Sequence, residues 1–494
     1  QSGLAEQARS FADRGVQLLV QVQAMPNWIS SSRVTHTPRN CTQEWPTYQT
    51  VAPDPDRWAL WEAAVRATVT YFNVTNGLTN VWYQFWDEPD GGCFWTDTQA
   101  KYLETWRHFV AAARSVDPNV RVGGPAPAFG PAGVIPGARR PLMQAFIEYS
   151  ASHGIQPSFV AYHTFNAPPE ESRLRNRAVL SMLSANGFGP MPIIITSWNP
   201  NDACYNDYLQ RPDRSWRSDP SALGCWQPDT EMGASYALAF MSHLAEGGTT
   251  GYQIMYALTD ADVGGLREEF PHDWGLRTNY NKNGIKKAAY HAHTIVGRMP
   301  RSLVTTTLTH AIDDNADVEY FNHISTLAGA EGDKLGILVW SYVTSPAQQA
   351  LAILLDKGYT GADLERWGGW ARVLRFITGR IEVTALTDVP QEQADLQTMK
   401  DAALRQNALV SKTNTVRFEL SGFPTRTGYR VTRYLIDATH NNSYATYVSS
   451  GLAAAIAGQE LQVLDTQNIN SLAEVPAVDL NPYAVMFIEI QRNQ

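Results

Sequence analysis

The acidic run Asp87-Glu88-Pro89-Asp90 follows directly on an apolar, aromatic segment, Asn80–Trp86 (NVWYQFW). A carboxyl group at the end of a buried strand is well placed for general acid–base work. The strand fixes the backbone, and the following loop leaves the side chain open to a substrate. Cleaving a glycosidic bond asks for two such groups. One protonates the leaving oxygen; the other attacks the anomeric carbon or activates a water that does. Glu88, with Asp87 beside it, is a candidate for one of these groups. His163, in Ala161-Tyr162-His163-Thr164-Phe165, and Ser197, in Thr196-Ser197-Trp198-Asn199, also stand at the ends of apolar runs. Ser197 has no basic neighbour in its motif, and a hydroxyl does not stabilise an oxocarbenium ion as a carboxylate does.

Composition narrows the partner. The 15 Trp and 21 Tyr offer flat faces suited to sugar rings, and Trp28, Trp86 and Trp198 stand near these strand ends. A net charge of −9 argues against nucleic acid, whose phosphates demand a basic face. No apolar run approaches the ~20 residues of a membrane span. The four cysteines include no Cys-Xaa-Xaa-Cys pair, so no zinc cluster is implied. No P-loop, dinucleotide fingerprint or Ser-His-Asp triad occurs in context, so no metal and no cofactor is expected. Of these features, the aromatic content leans towards carbohydrate as the partner.

The elements that must position these residues alternate in type. Apolar runs predict six strands, over Val16–Met25, Asn80–Trp86, Val120–Gly123, Ser158–His163, Pro192–Thr196 and Gly251–Tyr256. Helical patterns lie around and between them. The clearest is Thr96–Val116, where Tyr102, Trp106, Phe109, Val110 and Ala113 share one face. Strands separated by helices imply parallel pairing through right-handed crossovers. Beyond Met299 the pattern turns to short β-rich runs: Lys334–Tyr342, Ala350–Leu355, Val416–Leu420, Tyr429–Ile436 and Ala484–Ile490. The expected class is therefore α/β: a (β/α)8 TIM-type barrel over residues 1–298, then an antiparallel β-sandwich over residues 299–494.

The ordered set of motifs resembles family 39 glycoside hydrolases, the group of β-xylosidases and α-L-iduronidase. Trp86-Asp87-Glu88-Pro89 is similar to the Asn-Glu-Pro signature that ends strand four in the wider clan. Val122-Gly123-Gly124-Pro125-Ala126 resembles the strand-five segment, and Ala161–Phe165 the His-Thr-Tyr segment of strand six. Gly284–Tyr290 resembles the helix after strand eight. Tyr429–Tyr447 resembles a segment of the family's sandwich domain. The resemblance implies Glu88 as acid/base. It implies Asp87, where the family has Asn, as a contact to the sugar, and His163, Trp198 and Asn199 as neighbours of the site.

In that alignment the first strand here corresponds to the family's third. Two strands are then missing from this chain, so either a second segment or chain completes the barrel or the register of this correspondence is shifted. Ser197 occupies the position of the attacking Glu. Three explanations stay open: activity lost or relocated, a substitution introduced to trap substrate, or a non-catalytic descendant that still binds glycans. Asp202, Asp207 or Asp260 would give an inverting enzyme if one stood roughly 6.5–9.5 Å from Glu88.

Several features fit an extracellular or cell-surface protein. Cys41 and Cys93 follow neighbouring strands, while Cys204 and Cys225 share one long loop, which favours the pairings Cys41–Cys93 and Cys204–Cys225 among the three that four cysteines allow. Sequons at Asn40, Asn73 and Asn441 mark glycosylation candidates. The chain opens at Gln1 without a leader, so export implies a leader that is removed or lies outside this sequence.

Overall fold

A computed structural model describes residues 2–26, 28–30, 48–91, 94–165, 169–199, 229–246, 253–255, 279–281, 283–309, 324–343, 350, 353–354, 357–359, 361–407, 413–423 and 428–492. The chain divides into two compact units. The first comprises Gln1–Phe165, Arg173–Trp198 and Leu244–Ile254, and the second comprises Asn166–Ser172, Asn199–His243 and Met255–Gln494.

The first unit is built on a sheet whose strand order follows the chain: β1 (Leu18–Val22), β2 (Val81–Phe85), β3 (Arg121–Pro125), β4 (Phe159–Phe165), β5 (Ile193–Asn199) and β6 (Gln253–Met255). The pairings β1–β2, β2–β3 and β3–β4 are parallel. All six expected strands are present, with ends shifted by a few residues. The sheet is a curled half-barrel. Among the described residues its order ends at β1 and β6, with no pairing between them, rather than closing as an eight-stranded barrel.

β2 shows why these runs become strands. All five residues of Val-Trp-Tyr-Gln-Phe are buried, as in a parallel sheet covered on both faces. On one face Trp82 joins Leu19, Ala126, Phe159, Ala161 and Ile194 in a single apolar cluster. On the other, Phe85 meets α1 (Gln99–Val116), with its ring 4.9 Å from Tyr102, 5.7 Å from Trp106 and 5.4 Å from Phe109. Thr98 caps α1 by accepting the Lys101 N–H. Trp106 then reaches Ser150, in the helix Leu142–Ser152, through a 3.1 Å hydrogen bond.

The second unit contains a six-stranded antiparallel sheet: β7 (Leu303–Val304), β8 (Ile324–Glu331), β9 (Lys334–Ser341), β10 (Tyr429–Ile436), β11 (Asp465–Ile469) and β12 (Val485–Arg492), ordered β11-β10-β12-β9-β8-β7. A two-stranded ladder pairs Asn414–Val416 with Val478–Leu480. Val416, Phe418 and Leu420 pack with Val431, Ile488 and Leu480 in the core of this unit.

Two expectations need correction. Ala350 and residues 353–354, read as part of a strand, are helical. The stretch 361–407 is also helical, in Gly361–Arg366, Trp370–Ile377 and Pro390–Asn407. Ala350 and Leu354 join Trp367, Phe376, Leu396 and Met399 in a separate apolar core. A short apolar run looks alike as a buried strand or as one side of a helix, and here the helical partners decide. No helix among the described residues is long and apolar enough to cross a membrane.

Candidate active site

Glu88 stands three residues beyond β2, and its backbone is unusual. Trp86 and Glu88 both have positive φ, 61° and 45°, as does Ala126 after β3 at 53°. Non-glycine residues enter this region at an energetic cost, and such conformations gather where a site over-determines them. Hydrogen bonds supply the constraint here. Glu88 N–H donates to Ala126 O at 3.0 Å, and Ala126 N–H donates to Ala161 O at 2.9 Å. His163 N–H donates to Pro127 O at 2.9 Å. The loops after β2 and β3 are thereby tied to β4.

This backbone brings three ionisable side chains together. His163 is 4% exposed. Its Nδ1 lies 2.9 Å from Glu88 Oε1, and its Nε2 lies 3.2 Å from Asp87 Oδ1. Burial disfavours charge on the imidazole, but hydrogen bonds and attraction from Asp87 and Glu88 outweigh it and raise its pKa to about 10. His163 is therefore an imidazolium at neutral pH and donates from both ring nitrogens. The two carboxyl groups remain about one-fifth exposed, with side-chain values of 20% for Asp87 and 22% for Glu88. Glu88 is thus a carboxyl with one oxygen held by a cation and a path to solvent, an arrangement that can give or take a proton. Below it, fully buried Gln84 donates to Trp86 O at 2.9 Å and approaches Asp87 Oδ1 at 3.5 Å.

The remaining expected residues divide sharply. Trp28 is 58% exposed and has a face available for stacking. Trp86 and Trp198 are not the sugar-stacking walls that was expected of them: they are 0% and 1% exposed. Trp86 packs edge-on against Trp95 at 4.9 Å and donates its Nε1–H to Phe94 O at 2.6 Å. Ser197 lies in β5, 4% exposed, and its Oγ has no hydrogen-bond partner among the described residues. Asn199 ends β5. Asp202, Asp207, Asp260, the four cysteines Cys41, Cys93, Cys204 and Cys225, and Asn40 lie outside the described residues. Of the other sequons, Asn73 donates to Asp117 and accepts from Tyr83, and Asn441 donates both amide hydrogens, to Leu435 O and Gln462 O. A glycan on Asn441 would displace one of those bonds, so glycosylation there is incompatible with this conformation.

Asp90 was missed by the sequence reading. It is 5% exposed and accepts from Ala128 N–H at 2.6 Å and Phe129 N–H at 3.0 Å. Burial raises its pKa to about 6 against the opposing pull of those N–H donors. Its only signal in the sequence is its place as the third acid of the run, just after Pro89.

Comparisons with known proteins show which family this chain is similar to. Residues 10–207 match the family described as "Glycosyl hydrolases family 39". The β-xylosidase of Geobacillus stearothermophilus is 25% identical over 167 residues, which is 29% of this chain and 32% of that protein. The match thus spans about a third of the curated relative. Among solved structures, a monomeric β-xylosidase from Caulobacter crescentus CB15 superposes with a TM-score of 0.62 at 16% identity, covering 98% of this chain and 83% of that one. A bacterial orthologue of human α-L-iduronidase superposes with a TM-score of 0.55 at 14% identity, covering 97% and 76%. By sequence over residues 10–207, and by fold over nearly its whole length, this chain resembles the glycosyl hydrolases of family 39.

Proposed function

We propose that this protein is a glycoside hydrolase of the cell exterior acting on β-linked pentosides or uronic-acid glycans, with Glu88 as acid/base. One observation carries the reading: Glu88, at the end of a buried parallel strand, is held at 2.9 Å by a buried imidazolium that also engages Asp87. In this reading His163 orients the Glu88 carboxyl, Asp87 receives a sugar hydroxyl, and the exposed ring of Trp28 supports a sugar face. The family's attacking carboxylate has its counterpart at Ser197. An alternative reading, binding without turnover, is favoured by that residue, which is buried and has no hydrogen-bond partner for its Oγ among the described residues.

Aryl β-xylosides test both readings. The unmodified protein should hydrolyse them slowly. Ser197→Glu should raise the rate, and Glu88→Gln should lower turnover of substrates with poor leaving groups by about 10²–10⁴-fold. A normal retaining rate in the unmodified protein would show that the nucleophile is not at position 197. Binding of xylo-oligosaccharides with no turnover in any variant would favour the second reading.

A further inference from the structure

We propose that Asp90 is a positioning residue, a buried clamp that fixes Glu88 and His163 through the segment 126–129. That segment is a hub. Its two N–H groups at Ala128 and Phe129 are taken by the Asp90 carboxylate, at 2.6 and 3.0 Å. Its carbonyls at Ala126 and Pro127 receive the N–H groups of Glu88 and His163, at 3.0 and 2.9 Å. One side chain therefore anchors the short stretch of backbone on which both members of the acid–imidazolium pair depend. Tyr102 holds the residue just before this segment, donating its hydroxyl to Pro125 O at 2.9 Å.

The room left around Asp90 supports the role. A Cβ on Gly133 would overlap Asp90 Oδ2, so the loop carries glycine where it passes the carboxylate. Gly133 has φ −57°, a conformation open to any residue, so the glycine answers crowding rather than backbone strain. Asp90 is itself two residues from Glu88, and Gly91 N–H donates to Glu88 O at 2.9 Å. The turn therefore closes on itself: Glu88 holds Ala126, Ala126 leads to Ala128 and Phe129, and these return to Asp90. Without the Asp90 carboxylate, the N–H groups of Ala128 and Phe129 would lose the acceptor that holds their end of the segment.

The catalytic consequence rests on the reading of Glu88 as acid/base, but the clamp does not, and two measurements keep them apart. Two variants are used. Asp90→Asn sets an amide N–H₂ against one backbone N–H donor. Gly133→Ala keeps the Asp90 charge but pushes the carboxylate off its partners. Amide hydrogen exchange followed by mass spectrometry should show peptides containing Glu88 and His163 exchanging at least ~10-fold faster in both variants, with Val81–Phe85 unchanged. Unchanged exchange at Glu88 and His163, or equal loosening throughout Val81–Phe85, overturns the clamp. Hydrolysis of aryl β-xylosides supplies the second readout. A misplaced acid should cost ~10²-fold with phenol as leaving group, where protonation matters, and far less with dinitrophenol, where it does not, with KM nearly unchanged. Equal loss on both substrates overturns the positioning role. If the unmodified protein hydrolyses neither, the glycosidase reading fails, and the exchange data alone decide the clamp.

Discussion

Between Asp87 and Glu88 the chain places one cation, His163, and that choice has a pH signature. Its ordinary pKa of 6.5 is raised to about 10 in the folded protein. The folded state thus binds this proton more tightly than the unfolded chain. The stabilisation is fully present below about pH 6.5 and is lost as pH rises through about 10. Asp90 does not confuse the window. Its pKa rises from 3.8 to about 6, so its own contribution changes only in the acid range. Urea denaturation at pH 6.5 and at pH 9.5 should therefore show a falling midpoint in the unmodified protein. In His163→Gln the midpoint should start lower and fall less over that interval, because the titrating group is gone. Equal slopes for the two proteins would show that His163 is not held as an imidazolium. Glu88 and His163 were legible in sequence because each closes an apolar run whose end could be read from residue types. That Trp86 and Trp198 point into packed interiors was not legible, because composition counts aromatic rings without saying which face each presents.

Single elements were read well where their periodicity was decided locally, and poorly where it was decided by partners. In α1 the 3.6-residue spacing of Tyr102, Trp106, Phe109 and Ala113 is visible in the sequence, and all four are buried. The corresponding face of β2 is Phe85, whose ring stands within 6 Å of Tyr102, Trp106 and Phe109. Phe85→Ala should therefore cost about 3–5 kcal/mol, read from chemical denaturation, with the upper end reached only if the cavity fails to collapse. A cost under about 1 kcal/mol would mean that strand and helix pack independently. The helices of residues 361–407 carry a comparable signal. Pro390–Asn407 is rich in helix formers and spaces Leu396, Met399 and Ala403 along one side, all buried. Their partner core, with Trp367 and Phe376, lies some twenty or more positions away in sequence, and β-rich runs stand on either side of the stretch. The hub at Ala126–Phe129 was illegible for a stronger reason: its bonds join residues 35 to 39 positions apart, and no periodicity encodes such pairings.

At the scale of the whole molecule, the second unit is assembled from stretches that lie far apart along the chain, and polar groups join them. Asn442 donates to Glu231 at 2.7 Å, Ser443 donates to Lys286 O at 2.5 Å, and Lys286 meets Glu460 at 2.6 Å. Glu460 is exposed, so solvent screens that pair and it contributes little. Asp229 and Lys287 differ from it. Their side chains are 0% exposed and stand 2.5 Å apart. Removing two charges from water is costly, and their mutual attraction does little more than offset that cost, so the pair adds little net stability. Breaking it is another matter, because the survivor is a buried charge without its counter-ion. Lys287→Met should destabilise the second unit by about 3–5 kcal/mol, whereas Asp229→Leu combined with Lys287→Met should return to within about 2 kcal/mol of the unmodified protein. The measurement is thermal denaturation of the three proteins, followed by circular dichroism. A double variant as unstable as the single one would mean that the charges themselves, not just their balance, hold residues 229 and 287 together. A single variant costing under about 1 kcal/mol would mean that water reaches the pair in solution and that the segments around it are joined by their apolar contacts alone.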